Sequence, residues 1–188
     1  MALRLSCSKT NSRAEHVNRA RSIRLQGFDY AQAGAYFVTI CSTEKKCIFG
    51  QVREGAMLEN DLGRIVRSCW VEIPRHFANV EADAFVVMPN HFHGIVKLVK
   101  EPRSPGSSRV EAFSKPVASS VPTIVRTFKA AVTREARRAC GESRAAIWQK
   151  NYFERVIRND KEYSDTYGYI LENPMRWGLD RENPAFKG

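Results

Sequence analysis

The chain has 188 residues, the length of one ordinary domain with room for a hydrophobic core. Its 43% hydrophobic and 27% charged residues are typical of a globular protein and argue against a disordered one. Thirty Lys and Arg residues against twenty Asp and Glu residues give a formal net charge of +10. This surplus favours a polyanionic partner, most often nucleic acid, although charge alone does not exclude an acidic membrane surface or simple solubility.

Cysteine usage and apolar runs indicate the compartment. There is no Cys-x-x-Cys pair, which argues against a disulfide framework and a zinc ribbon and fits a reducing cytosol. No apolar run has the length of a signal peptide or a membrane span. We therefore expect a cytoplasmic, nucleoid-associated protein with no membrane partner. The five cysteines are widely spread: Cys7, Cys41, Cys47, Cys69 and Cys140.

The first third of the chain contains a basic arm, a strand and a hairpin. Residues 35–43 are β-branched and aromatic, which predicts a strand. Residues 47–60 predict a short hairpin that turns at Glu54 and Gly55. Residues 1–27 hold a single acid, Glu15, against six basic residues: Arg4, Lys9, Arg13, Arg19, Arg21 and Arg24.

The middle of the chain predicts a helix followed by a second hairpin. Apolar residues recur at helical spacing over 62–73, and Pro74 is expected to end that helix. Two strand-like runs, 80–88 and 91–99, are joined through the turn residues Pro89 and Asn90.

The last third alternates loop, helix, strand and helix. Residues 100–120 are rich in Pro, Ser and Gly and predict a flexible loop before a helix over 121–140. Residues 146–157 predict a strand or extended piece, and residues 160–173 a helix stopped by Pro174. This order of elements predicts a single α+β domain, a ferredoxin-like antiparallel sheet with helices on one face.

The second hairpin carries the stretch "PNHFHG", with His91 and His93 one residue apart. Side chains alternate across a strand, so both imidazoles face one side and can converge on one metal ion. The alternative is a pair of half-buried histidines that hydrogen-bond to neighbours. The wholly apolar run before the pair favours the metal interpretation, since unpartnered imidazoles in a central strand are costly.

The predicted C-terminal helix carries three tyrosines, Tyr163, Tyr167 and Tyr169. Tyr169 and Asn173 are four residues apart and share a helix face, an arrangement suited to a nucleophile beside a metal ligand. Each tyrosine is equally explained as a packing aromatic, and spacing alone does not choose among them.

Three motifs in order resemble a known family. "PNHFHG" after an apolar strand resembles the histidine-hydrophobe-histidine (HUH) motif of single-tyrosine transposases. "IWQKNYFERVIRNDKEY" followed by "YILENPMRWGL" is similar to the C-terminal signature of the transposases associated with repetitive extragenic palindromes (REPs). "RSIRLQGFDYAQAGAYFVTICS" is similar to their N-terminal region, so the resemblance extends from about Arg21 to Leu179. The long loop at 100–120 departs from the shortest members.

The resemblance implies a catalytic domain over residues 28–180, with a tail at 181–188. His91, His93 and Asn173 match the metal ligands and Tyr169 the nucleophile. It also implies Mg²⁺ or Mn²⁺ as the ion, a 5′-phosphotyrosine intermediate, and no nucleotide cofactor. The implied substrate is single-stranded DNA folded into REP-like hairpins. The choice between a monomer and a homodimer stays open.

Basic and aromatic residues supply candidate DNA contacts. Lys and Arg neutralise phosphates, and an indole among basic residues can stack on unpaired bases. The candidates are Arg21, Arg24, Arg126, Lys129, Arg134, Arg137 and Trp148.

Three other functions fit parts of this pattern. A metal-dependent nuclease would use the histidine pair to activate water and would survive Tyr169→Phe. A domesticated, non-catalytic nucleic-acid-binding protein would keep the charge without the chemistry. Charge that serves only solubility would give weak, salt-insensitive DNA binding.

Overall fold

A computed structural model describes residues 28–99, 119–140 and 146–186. The predicted basic arm, with Arg21 and Arg24, and nearly all of the predicted 100–120 loop lie outside these residues. The strands are β1 (Gly34–Cys41), β2 (Gly50–Arg53), β3 (Ala56–Glu59), β4 (Val80–Val87), β5 (His91–Leu98) and β6 (Phe153–Ile157). The helices are α1 (Asp61–Val71), α2 (Ile73–His76), α3 (Val121–Cys140) and α4 (Asp160–Glu172).

The central sheet has four antiparallel strands in the order β4-β5-β1-β6. With α1 between β1 and β4, and α3 between β5 and β6, this is the split βαββαβ arrangement of ferredoxin-like folds. The predicted α+β antiparallel domain is confirmed. Strand β5, which carries the histidine pair, lies between β4 and β1.

One face of the sheet packs against α1, α2 and α3. Phe92 of β5 meets Trp70 of α1 and Phe128 of α3, with ring centroids 4.7 Å and 5.2 Å away. All three side chains are buried. Gly94 follows on the same face because a Cβ there would lie 2.7 Å from Cζ2 of Trp70. The strand therefore approaches the helix layer as closely as its backbone allows.

The opposite face is covered by α4, whose Ile170 packs with Phe37, Ile95 and Ile157. The expectation that the helices share one face holds for α1–α3 and is wrong for α4. The physical reason is that α1 and α3 already fill the first face, so the apolar stripe of Phe37 and Ile95 needs a cover of its own. The helix with the candidate tyrosine thus lies on the face towards which the histidines point.

The predicted turns have the expected local geometry. Glu54 and Gly55 both have positive φ, 50° and 75°, as a two-residue hairpin turn between β2 and β3 requires. Between β4 and β5, the Met88 N–H donates to the His91 carbonyl at 2.8 Å across Pro89 and Asn90.

Helix α1 differs from its predicted bounds. It begins at Asp61, behind an Asn60 cap whose side chain accepts from the Gly63 N–H. It ends at Val71, and Pro74 lies in the first turn of α2 rather than at the end of α1. Proline is tolerated there because an N–H in the first turn has no helical acceptor. No helix in the described part of the chain is long and apolar enough to cross a bilayer.

Candidate active site

His91 and His93 project together from β5 towards α4. His91 is fully buried and His93 is 4% exposed. Their ring centroids are 4.5 Å apart. Phe37 of β1 stacks on the His93 ring at 5.2 Å, which fixes its orientation. The alternation predicted for the strand therefore brings both imidazoles to one point.

The tautomer of His91 follows from its partner. Its Nδ1 lies 2.8 Å from Oδ1 of Asn90. The Asn90 amide nitrogen donates to the carbonyls of Lys45 and Glu182, so its oxygen faces the imidazole and can only accept. His91 Nδ1–H is therefore the donor, and Nε2 keeps its lone pair. Burial lowers the pKa of His91 to about 4, with Asp180 acting in the opposite direction, so the ring is neutral at pH 7.

His93 connects the sheet to the candidate nucleophile. Its Nδ1 lies 2.8 Å from Oγ1 of Thr39, and its Nε2 lies 3.2 Å from the hydroxyl of Tyr169. Burial, then the neighbouring His91, hold the pKa of His93 well below its ordinary value. Both ring nitrogens of His93 thus have hydrogen-bond partners, and the neutral ring donates at one nitrogen and accepts at the other.

The structure distinguishes the three tyrosines. Tyr163 donates its hydroxyl to Oδ2 of Asp83 at 2.5 Å, an attachment between α4 and β4. Tyr167 is 40% exposed and does not reach the histidines in the described residues. Tyr169 alone among the three contacts the histidine pair. Burial is the first cause that raises the pKa of Tyr169, so the phenol is protonated at neutral pH.

Three buried acceptors at this site have no hydrogen-bond donor among the described residues. They are Nε2 of His91, Oδ1 of Asn173 and Oδ2 of Asp180. The Asp180 oxygen lies 3.7 Å from the His91 nitrogen. Buried acceptors without donors are costly unless something positive lies between them. The donor set thus fits a divalent cation.

The match to a metal site depends on the amide of Asn173. Within 28–99, 119–140 and 146–186, no group of three or more His, Cys, Asp or Glu side chains forms a metal site by itself. Asn173 is 3% exposed and close enough to affect the pKa of both His91 and Tyr169. An ion held by His91, His93 and Asn173 would therefore have two nitrogen ligands and one oxygen ligand.

Tyr169 lines a cleft of about 820 Å³ and is 41% exposed. The same cleft is lined by three acids, Asp165, Asp180 and Glu182, and by three arginines, Arg155, Arg176 and Arg181. Arg155 is oriented by a 2.9 Å hydrogen bond to Oγ1 of Thr166. Guanidinium groups match the geometry of phosphate oxygens, so these arginines can bind a phosphodiester backbone.

The residues predicted to bind DNA lie elsewhere on the molecule. Arg126, Arg134 and Arg137 are exposed on α3, which covers the face away from the histidines. Arg134 and Arg137 line a separate cleft of about 680 Å³ with Lys129 and Trp148. The structure does not bring these side chains to the histidine pair, so any contact they make with DNA would lie away from that pair.

Two members of that set have structural contacts. The Lys129 ammonium donates to the carbonyls of Gln149, Lys150 and Asn151 at 2.8, 3.4 and 3.2 Å. Burial lowers the pKa of Lys129 to about 8, which leaves it charged at neutral pH. The Trp148 ring packs on Phe49 and Phe128, so much of it belongs to the core.

Sequence patterns missed several residues at this site. The sequence marks Asn90 only as a turn residue, and its place beside His91 is the signal for its role. Thr39 could have been found from strand pairing, since it lies opposite His93. No local signal marked the others: Arg155, Arg176, Asp180 and Arg181.

Comparison with known proteins finds relatives in Haemophilus influenzae. No family model matches the chain. An uncharacterized protein of Haemophilus influenzae is 38% identical over 170 residues, covering 88% of this chain and 93% of that protein. A second H. influenzae protein, named "Putative REP-associated tyrosine transposase", is 26% identical over 150 residues, covering 80% of this chain and 75% of the relative.

A solved structure supports the same relationship at the level of fold. It is a REP-associated tyrosine transposase bound to a REP hairpin, with a TM-score of 0.54 and 22% identity. The match covers 85% of this chain and 77% of the other. The chain is thus similar over most of its length to a protein named as a REP-associated tyrosine transposase, and it shares the fold of a solved one.

Proposed function

We propose that the protein cuts and rejoins single-stranded DNA within REP-like hairpins through a covalent bond to Tyr169. The observation that carries the proposal is the 3.2 Å contact between the Tyr169 hydroxyl and His93 Nε2, in a cleft whose lining also holds three arginines and three acids. A nucleophile, a candidate metal-binding imidazole and phosphate-binding groups meet at this one place.

The proposed reaction exchanges one phosphate ester for another. The phenolic oxygen of Tyr169 attacks a backbone phosphorus, and the bond from phosphorus to the 3′-oxygen breaks. The phenol loses its proton to solvent and the leaving 3′-oxygen gains one, which leaves a 5′-phosphotyrosine and a free 3′-hydroxyl. Attack by a 3′-hydroxyl reverses the step and joins a strand end. The ester bond retains the energy of the phosphodiester, so no nucleotide cofactor is required.

The protein's own residues position the reactants. Asn90 fixes the tautomer of His91, so that its Nε2 presents a lone pair, and Thr39 orients the ring of His93. Arg155, Arg176 and Arg181 would bind the phosphates on either side of the scissile bond. Mg²⁺ or Mn²⁺ at His91, His93 and Asn173 would supply Lewis-acid stabilisation of the charge that develops on the phosphate.

The hairpin substrate is proposed from the relatives. One relative's name associates it with REPs, and the similar solved structure holds a REP hairpin. The exposed arginines of α3, Arg126, Arg134 and Arg137, would bind the duplex stem at a distance from the cleft, which would make affinity depend steeply on salt.

The test is adduct formation on a hairpin labelled at its 3′ end, since a 5′-phosphotyrosine retains that fragment. Wild type with Mn²⁺ is expected to carry the label through denaturing electrophoresis. Tyr169→Phe and His93→Ala are expected to carry none. Tyr167→Phe is the matched control, because it removes an exposed hydroxyl from the same helix, and is expected to form the adduct.

Two outcomes would favour other functions. Cleavage that persists in Tyr169→Phe, with no adduct in wild type, would establish a nuclease that uses water. Tight hairpin binding without cleavage, across a panel of REP-like hairpins and both metals, would favour a non-catalytic binding protein.

A further inference from the structure

Asp180 is held over the histidine pair by contacts on both sides. It follows the short 3₁₀ turn Trp177–Leu179, and its N–H donates to the Trp177 carbonyl at 3.2 Å. Its Oδ1 accepts from the N–H of Glu182 at 2.8 Å. Glu182 is fixed in turn, since its carboxylate pairs with Lys45 at 2.8 Å and its carbonyl accepts from Asn90 at 2.6 Å. These bonds leave Oδ2 of Asp180 as the free end of the carboxylate.

That free oxygen faces another acceptor. Oδ2 of Asp180 is 3.7 Å from Nε2 of His91, and both atoms are buried without a donor among the described residues. The Nδ1–H of His91 is committed to Asn90, so Nε2 carries a lone pair and not a proton. Oδ1 of Asn173 is a third acceptor that is buried and has no donor among the described residues. Lone pairs that face each other in a buried site repel unless a positive group lies between them.

We propose that Asp180 is a ligand of the divalent cation on the His91 side of the site, where its Oδ2 joins His91 Nε2 and the Asn173 amide oxygen as buried acceptors without a donor among the described residues. This inference rests on the proposed function for the presence of the ion. Two donors with bonds of about 2.1 Å to one ion can be at most about 4.2 Å apart, and the observed separation satisfies this limit. A carboxylate also shifts the preference of the site towards hard cations such as Mg²⁺ and Mn²⁺.

The test measures Mn²⁺ affinity rather than DNA cleavage. Asp180→Asn replaces Oδ2 by an amide that can donate to His91 Nε2. We expect the metal-free variant to melt at the wild-type temperature or above. Its dissociation constant for Mn²⁺, from the electron paramagnetic resonance (EPR) signal of the free ion, should rise at least about tenfold.

One control separates coordination from general electrostatics. Asp165→Asn removes a charge from the lining of the same cleft, where Asp165 pairs with Lys161 at 2.8 Å. This variant should bind Mn²⁺ within about threefold of wild type. An equal loss in Asp165→Asn and Asp180→Asn would overturn the assignment of Asp180 as a ligand.

A measurement on wild type keeps the proposal testable if Asp180→Asn does not fold. Protein labelled with ¹³C at its aspartate carboxylates should show a ¹³C hyperfine coupling to bound Mn²⁺ in pulsed EPR. Absence of that coupling would overturn the proposal, as would Asp180→Asn binding Mn²⁺ within about twofold of wild type. Wild type that binds no Mn²⁺ would overturn the metal role in the proposed function together with this inference.

Discussion

The two faces of the sheet differ in what they bury, although the same strands supply both: one buries packed aromatic rings and the other buries the histidine pair. On the α1–α3 face, the apolar ring of Phe92 is packed between Trp70 and Phe128, although the buried Trp70 Nε1–H has no acceptor among the described residues. On the α4 face, the adjacent residues His91 and His93 are as deeply buried, yet the acceptors around them lack donors. Because side chains alternate along β5, Phe92 and the two histidines lie on opposite faces of the sheet. A substitution on one face therefore removes no residue from the other.

The largest expected effect is on the packed face. Phe92→Ala should lower the free energy of unfolding by about 3–5 kcal/mol, because it empties a site enclosed by two aromatic rings. Urea titration measures this loss. His93→Ala should cost clearly less, since it removes a buried polar group along with its packing. Equal costs for the two variants would contradict the division between the faces.

The next effect is the pH dependence of the metal-free protein. Burial holds the folded pKa of His91 at about 4, below the unfolded value of 6.5. The unfolded chain therefore binds more protons between these values, and stability should fall as pH drops from about 6.5 to 4, by up to about 3 kcal/mol. Urea titrations in EDTA at several pH values measure the loss. His91→Gln should make the profile shallower and leave the slope that the buried His93 contributes, and an unchanged profile in that variant would refute the assignment.

Binding of a divalent cation should raise the stability of the fold, because the ion would satisfy the buried acceptors around the histidines. Free Mn²⁺ at 100 times its dissociation constant should stabilise the fold by about 2.7 kcal/mol. This corresponds to a rise in melting temperature of roughly 5–10 °C for a domain of this size. EDTA should reverse the rise, and His91→Ala should abolish it. The same rise in His91→Ala would mean that the ion binds elsewhere.

The smallest effect concerns the attachment of α4. Tyr163→Phe removes the hydrogen bond to Asp83, which keeps its 2.6 Å pair with Lys97. We expect a loss of about 1 kcal/mol, seen as faster hydrogen exchange in α4 than in α3. Tyr167→Phe is the control and should change nothing. Uniform faster exchange throughout the sheet would show that α4 is not separately attached.

Sequence patterns could predict what depends on period and spacing. Strand alternation placed His91 and His93 on one face, and the four-residue separation of Tyr169 and Asn173 placed both towards the histidines. The α+β sheet and its hairpins followed from the order of apolar runs and turn residues.

The remaining features depend on long-range packing. A helical stripe shows which side of a helix is buried but not which face of the sheet it covers, so α4 was placed on the wrong face. For the same reason the basic residues of α3 could not be separated from the active site. Asp180 is brought to His91 by contacts of Glu182 with Lys45 and Asn90, which no local pattern marks.

The central claim is that Tyr169, and no other tyrosine of α4, bonds to DNA. Digestion with trypsin after reaction with a REP-like hairpin and Mn²⁺ should release residues 162–176, a peptide with Tyr163, Tyr167 and Tyr169. Fragmentation by mass spectrometry then locates the attached nucleotide. The account predicts the nucleotide on Tyr169 alone. A nucleotide on Tyr163 or Tyr167, or cut DNA with no modified peptide, would contradict it.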